Sequence, residues 1–175
     1  MPAAPDAVAL LKGDHRKVED LFEAFEKAKA GSRKRQLADQ ICLELAVHTK
    51  IEEEVFYPAC RGRIEDDLVD EAHVEHDGAK VLLAEIEAGS PDDAFFDAKV
   101  KVLSEMIKHH VQEEEKRVEG MFSQARKAGV DMDALGEQMA ARKRELLAEY
   151  GKSGIPSPET PTFAGTRLAP AARAA

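Results

Sequence analysis

Along this chain apolar residues recur at three- and four-residue steps over long stretches, and short clusters of glycine, serine, proline and aspartate interrupt them. That is the signature of successive amphipathic helices. A first stripe, Val8, Leu11, Val18, Phe22 and Phe25, predicts a helix over about Asp6 to Ala30, ended by Gly31-Ser32. A second, Leu37, Ile41, Leu45, Phe56 and Ala59, predicts one from about Arg33 to Arg61, closed by Gly62. A third runs from about Glu65 to Ala88 through Val69, Ala72, Leu83 and Ile86, before the breaker Gly89-Ser90-Pro91-Asp92. A fourth, from near Asp92 to about Ala128, carries Phe96, Val100, Leu103, Ile107, Val118 and Met121, with Gly120 as a candidate bend. Asp131 is a candidate N-cap for a fifth helix that ends near Tyr150 on Leu135, Met139 and Leu146. From Gly151 to Ala175 four prolines with several Ser and Thr read as a tail without a core of its own, disordered or draped over the helices. The expected fold is all-α: an up-down-up-down four-helix bundle over residues 6–128, an additional helix over 131–150, and an extended or disordered tail over 151–175.

Polar residues interrupt these stripes at particular points. His15, His48, His76 and His110 stand where apolar residues are expected, and Glu52 and Glu114 follow two of them by four residues, which is one helical turn on the same face. In an antiparallel bundle, residues at one level lie symmetrically about the turn that joins their helices. The midpoints of successive histidines fall at 31.5, 62 and 93, against turns at Gly31-Ser32, Gly62 and Gly89 to Asp92. Four inward histidines therefore share a level with two inward carboxylates. A buried carboxylate without a partner costs several kcal/mol, on the order of the penalty for any unpaired buried charge, and a metal dication would supply the missing positive charge. The constellation predicts a two-metal site.

Composition and charge narrow the field. At 175 residues the chain suits one main domain, and 34% charged with 5% aromatic residues and no Trp favours helices over a β-sandwich. A net charge of −9 argues against a nucleic-acid partner, whose phosphates need a concentrated basic surface. No apolar run reaches the length of a membrane span, and the N-terminus lacks the basic and apolar regions of a signal peptide, so a cytoplasmic protein without a membrane role is expected. Cys42 and Cys60 share no CxxC spacing and are expected to be unbridged thiols.

The neighbouring polar residues read less simply. In Glu52-Glu53-Glu54 and Glu113-Glu114-Glu115 only one position of each can face inward, and phase selects Glu52 and Glu114. His109, offset by about 100° from His110, is expected at a helix boundary or on the surface. His73 stays open between a fifth nitrogen ligand, a group behind the ligands and a rim residue, and Tyr57 between lining the cavity and plain packing. Imidazole with carboxylate donors suits iron, manganese or zinc, and there is neither a His-Glu-x-x-His nor a Glu-x-x-His motif.

The order His15, His48-x-x-x-Glu52, His76, His110-x-x-x-Glu114 resembles the hemerythrin-like family with its HHE cation-binding domain. So do the local runs Asp14-His15-Arg16-Lys17-Val18-Glu19, Ile51 to Pro58, Glu75-His76 and His109 to Glu115, and the likeness spans about residues 6 to 128. The resemblance implies a four-helix bundle around a bridged pair of iron ions, with His15, His48, His76 and His110 as terminal ligands and Glu52 and Glu114 as bridges. Oxygen-carrying members have two histidines four apart on the third helix, whereas His73 and His76 are three apart, which puts stable oxygen carriage in doubt. The segment between Glu115 and Phe122 is about one turn longer than usual, and the fifth helix and tail lie outside the shared domain. The expected function is a di-iron protein that meets O₂, peroxide or nitric oxide for sensing, iron and oxygen handling or stress protection, a binding protein rather than an enzyme, with no catalytic residue to name. One alternative is a peroxide-consuming or ferroxidase-like enzyme. Another is a structural metal, zinc for example, in a bundle that acts through a protein partner.

Overall fold

A computed structural model describes residues 5–163. Among them the chain is all-helical: α1 (Ala7–Lys27), α2 (Gly31–Ile51), a π-turn (Glu52–Phe56) running straight into α3 (Tyr57–Cys60), α4 (Asp66–Ala88), α5 (Phe96–Glu115), α6 (Met121–Lys127), α7 (Met132–Ser153) and a 3₁₀ turn (Pro161–Phe163). Caps mark the ends that the sequence marked. Asp6 accepts a hydrogen bond from the Ala9 N–H at 3.0 Å, and Asp131 accepts one from Ala134 at the same distance. Gly62 leaves α3 at φ 73°, and its N–H is held by the Asp66 carboxylate at 2.8 Å.

Each of the helices α1, α2, α4 and α5 packs on the next and α5 returns to α1, closing a four-helix bundle, while α7 lies against α1, α2 and the π-turn. The core is in two parts. Val18, Phe22, Phe25, Ile41, Leu45, Leu83, Leu103 and Ile107 fill one half, and Leu11, Val47, Ile51, Phe56, Val69, Met121, Phe122, Met139 and Leu146 the other. At about 1.5–3 kcal/mol for each fully buried large side chain, these two plugs hold the helices in place around the polar layer between them.

The fourth predicted helix needs correction. It begins at Phe96, and it stops at Glu115 instead of continuing to Ala128. Residues 116–120 form a tight turn, in which the Gly120 N–H donates to the Lys116 carbonyl at 3.2 Å, and Val118, expected on the apolar line, is 63% exposed. The turn brings Met121 and Phe122 under the polar layer, where Phe122 stacks on His15 at 5.9 Å between ring centroids. The second helix also ends earlier as a regular helix, since Glu52 to Phe56 form a π-turn. The tail is draped as far as it is described: Thr162 donates through its N–H and its hydroxyl to Asp77, at 2.8 and 2.7 Å. The rest of the expected tail, 164–175, lies outside the described residues. Among the described residues no helix is long and apolar enough to cross a membrane.

Candidate metal centre

All six inward residues meet between the two halves of the core, and none exceeds 4% exposure. Their donor atoms form two groups that could each hold an ion: His15, His48, Glu52 and Glu114, and Glu52, His76 and His110. Glu52 belongs to both. Its Oε2 lies 3.2 Å from the Nε2 of His48 and 3.2 Å from that of His76. Glu114 reaches across likewise, Oε2 lying 3.4 Å from His15 Nε2 and Oε1 3.5 Å from His110 Nε2. The four-residue spacing puts each carboxylate beside the histidine of its own helix, and the bundle brings in the histidine of another.

Behind these six stands a second set of carboxylates that sequence reasoning did not single out. Glu115 sits 2.7 Å from His15 Nδ1, Asp14 3.6 Å from His48 Nδ1, Glu53 3.0 Å from His76 Nδ1 and Glu75 2.7 Å from His110 Nδ1. These four form a closed circuit: α1 serves the histidine of α2, the π-turn that of α4, α4 that of α5, and α5 that of α1. The cause is elementary. A residue next to an inward one is rotated by about 100° and faces a neighbouring helix. Because successive helices run in opposite directions, a constant sense around the bundle requires the offset to alternate in sign, as it does: Asp14 precedes His15, Glu53 follows Glu52, Glu75 precedes His76 and Glu115 follows Glu114. An acid beside one inward residue on each of the four segments was the available signal.

A third layer holds the second. Lys143 pairs with Asp14, Lys80 lies 2.7 Å from Glu53, Arg16 2.9 Å from Glu115 and His109 3.3 Å from Glu75. Burial works against the charge on Glu53, but the hydrogen bonds from His76 and Lys80 outweigh it and hold the carboxyl below its ordinary value. Burial likewise opposes charge on Asp14 and on Glu75, and the partners His48 with Lys143, and His110, reverse it. Three of these carboxylates, Glu115, Glu53 and Glu75, lie within hydrogen-bond distance of an Nδ1, Asp14 stands farther from His48, and with an acceptor behind each ring the Nε2 atoms face inward.

The donors fit a metal. With Nδ1 as donor, a neutral imidazole presents a bare lone pair at Nε2, yet the Nε2 atoms of His76 and His110 face one another at 3.2 Å. Two lone pairs at that distance repel unless a cation or a proton lies between or beside them. The Nε2 atoms of His15 and His48, Oε1 of Glu52 and Oε2 of Glu114 are buried without a hydrogen-bond partner, an arrangement that costs about 1–3 kcal/mol per atom if nothing binds there.

His73 and Tyr57 are placed differently from one another. His73 is not among the inward donors; it lies half-buried, edge-on to the Tyr57 ring at 5.2 Å between centroids. The inner place belongs to the Tyr57 hydroxyl, 3.1 Å from His76 Nε2, 3.1 Å from Glu114 Oε1 and 3.4 Å from Glu52 Oε2. His109 is on the surface as expected, and Cys42 and Cys60 are buried free thiols.

The model of the hemerythrin HHE cation binding domain matches residues 6–122. The chain belongs to this family. The HHE domain chain is similar, at 31% identity over 106 residues, to a DNA nickase of Nostoc sp.; the alignment takes in 61% of this chain and 30% of the relative, so the chain spans under a third of that protein's length. Its fold is similar to the crystal structure of a hemerythrin HHE cation binding domain-containing protein of Mycobacterium kansasii, with a TM-score of 0.71, 20% identity, and coverage of 86% of this chain and 94% of the other. Membership makes this a cation-binding bundle, and its inward His and Glu groups are the donors available. Helix α7 lies beyond the matched residues, yet its Lys143 and Arg142 pair with Asp14 and Glu54, so the helix is tied electrostatically to the layers around the centre.

Proposed function

We propose that this HHE domain holds two iron ions, one among His15, His48, Glu52 and Glu114 and one among Glu52, His76 and His110, and that the pair meets O₂, peroxide or nitric oxide. The observation that carries this reading is the set of four Nε2 atoms turned inward on the buried Glu52 and Glu114 carboxylates, each of which keeps one oxygen without a hydrogen-bond partner, with a carboxylate behind each imidazole. A carboxylate behind each histidine fixes the ring and raises its basicity. When bound, iron would supply redox-active positions for small ligands, as mixed imidazole and carboxylate donors suit it.

What the chain's own residues do follows from their positions. Glu52 and Glu114 span the two groups, Tyr57 offers a hydroxyl to the same space, and Val18, Leu45, Ile107 and Val111 roof a cavity of about 10 Å³ beside the four histidines. That space admits a molecule of about the size of a water and excludes an organic substrate. The match to the Nostoc nickase covers 30% of that protein, and a chain of net charge −9 is poorly suited to a phosphate backbone, so nicking is not part of this proposal. The test is metal content per chain after aerobic purification, with near-ultraviolet spectra before and after dithionite and again in air. About two irons with ferric bands that bleach on reduction are expected, and Glu52→Ala should lose both metal and bands. Iron content unchanged by Glu52→Ala would refute the assignment, and zinc alone would favour a structural metal.

A further inference from the structure

The circuit of outer carboxylates is not symmetric. Asp14, Glu53 and Glu115 are each paired with a fixed cation, Lys143, Lys80 and Arg16, whereas Glu75 is met from outside by a histidine, His109. A lysine or arginine repels an arriving metal ion, while an imidazole is itself a ligand. On this one side Glu71, one turn before Glu75 on α4, completes a cluster: the donor atoms of Glu71, Glu75 and His109 all lie within 4.8 Å of one another. The His109 side chain is 59% exposed, so the cluster is open to solvent.

An independent feature joins this cluster to the interior. A narrow crevice of about 10 Å³ is lined on its outer side by Glu71, Glu75 and Glu113 and on its inner side by His110 and Glu114. Glu114 is 1% exposed; its Oε1 lies 3.5 Å from His110 Nε2 and accepts from the Tyr57 hydroxyl, while its unpartnered Oε2 is turned to His15. Glu75 spans the gap with both oxygens, Oε1 lying 3.3 Å from His109 Nε2 and Oε2 2.7 Å from His110 Nδ1. Lys116, the nearby cation, is engaged by Glu113 at 2.7 Å, which leaves the exposed Glu71 beside His109 and the half-buried Glu75.

We propose that Glu71, Glu75 and His109 form a capture site at which a divalent cation docks before passing along the crevice to the buried centre. This role rests on the reading of the buried residues as a metal centre. Two carboxylates and one imidazole suit Fe(II), Mn(II) or Zn(II) and lack the thiolate or thioether that would select Cu(I). Three protein donors in an exposed cluster leave the remaining positions to water, so the ion is held weakly and can leave again, as delivery requires. A local concentration of negative charge raises the encounter rate of cations, an effect of about tenfold or more.

The experiment compares the full chain with its Glu71→Gln/His109→Ala variant, and with Glu137→Gln, on the exposed face of α7, as a control for lost charge. Binding at the surface is read from the broadening of the His109 ring resonances by substoichiometric Mn(II) in protein already loaded with Zn(II). Delivery is read from the rate at which Co(II) colour develops in metal-free protein. Expected are selective broadening at His109, and Co(II) uptake about tenfold slower in the double variant with the same final stoichiometry, the control behaving as the parent. No broadening at His109, or uptake as fast in the double variant as in the parent, overturns the proposal. A parent chain that takes up no Co(II) overturns the buried centre and the delivery role together, and the Mn(II) broadening distinguishes that failure from failure of the surface site.

Discussion

Filling the centre at neutral pH should expel protons from two particular imidazoles. In the metal-free protein, burial disfavours charge on His48, but the Glu52 and Asp14 carboxylates more than reverse this and raise it to about 10. Burial opposes charge on His76 as well, and its bonds to Glu52 and Glu53 raise it to about 9. Glu52, despite complete burial, is held well below its ordinary value by His48 and His76 and has no proton to give at pH 7. Both rings are thus about 99% or more protonated at pH 7, and each must free its Nε2 to bind a metal. Together they should release about two protons, one for each ion, so between pH 7 and 9 the apparent affinity for each ion should climb roughly tenfold per pH unit, and that for the pair roughly a hundredfold. Titration calorimetry with Zn(II) or Co(II) in buffers of different ionisation heat gives the proton count directly. Tyr57 sharpens the measurement, because burial and the Glu114 and Glu52 charges push its hydroxyl well above the ordinary tyrosine range. If it joins the centre as a phenolate, Tyr57→Phe should release one proton fewer than the parent. Release of less than one proton at pH 7 would refute the picture of charged His48 and His76 that give way to metal.

Three further outcomes follow from the same geometry. Asp14→Asn should weaken metal binding by about 10–100-fold by loosening His48, measured by competition with a chelator; an unchanged affinity would show that the outer circuit is idle. The metal-free protein should lose thermal stability progressively as pH rises from about 6.5 to about 9 to 10, because groups with raised folded values stabilise fully only below their unfolded value near 6.5 and no longer above the folded one; a calorimetric Tm that stays level across that whole range would contradict the assignment. Gly120→Ala should cost about 1–3 kcal/mol in urea unfolding, since an added Cβ would lie 2.5 Å from the Lys116 carbonyl oxygen and 2.7 Å from that of Glu114; a neutral result would mean that this turn relaxes freely.

Much of this arrangement is legible in the sequence because helices of one bundle share a period. The apolar stripes locate α1, α2, α4, α5 and α7, and the symmetry of His15, His48, His76 and His110 about their turns places them at one level. Periodicity fails after Glu115, where Val118 and Met121 stay in phase by count while the chain leaves the helix at Lys116 and restarts at Met121. Counting cannot detect a turn whose length keeps the phase. The outer carboxylates were hidden for a different reason: in a chain with 34 acidic residues an acid beside a ligand is unremarkable, and only the alternating offset, which depends on helix direction, separates Asp14, Glu53, Glu75 and Glu115 from the solvated surface.

The inward placement of Tyr57 has a backbone cause. Five residues of α-helix rotate a side chain by about 500°, so a tyrosine five positions after Glu52 would point about 140° away from it. Between these two residues the helix is wound as a π-turn, in which the Tyr57 N–H donates to the Glu52 carbonyl five residues back. The wider turn brings Tyr57 under Glu52, and its hydroxyl comes to 3.4 Å from that carboxylate. His73, three residues before His76, then meets the Tyr57 ring instead of the inner donors. π-Turns recur at functional sites because an extra residue in one turn re-aims everything beyond it. Here the π-turn places the Tyr57 hydroxyl in the space beside His76, which His73 does not reach. Deleting one residue from Val55-Phe56 would restore α-helical phase and place the tyrosine four residues after Glu52, about 40° from it, so its hydroxyl should stay beside that carboxylate while His48 and Glu52 keep their register. A proton count on metal loading equal to the parent's is the expected result, and a count as low as that of Tyr57→Phe would mean that the π-turn itself is needed to seat the hydroxyl.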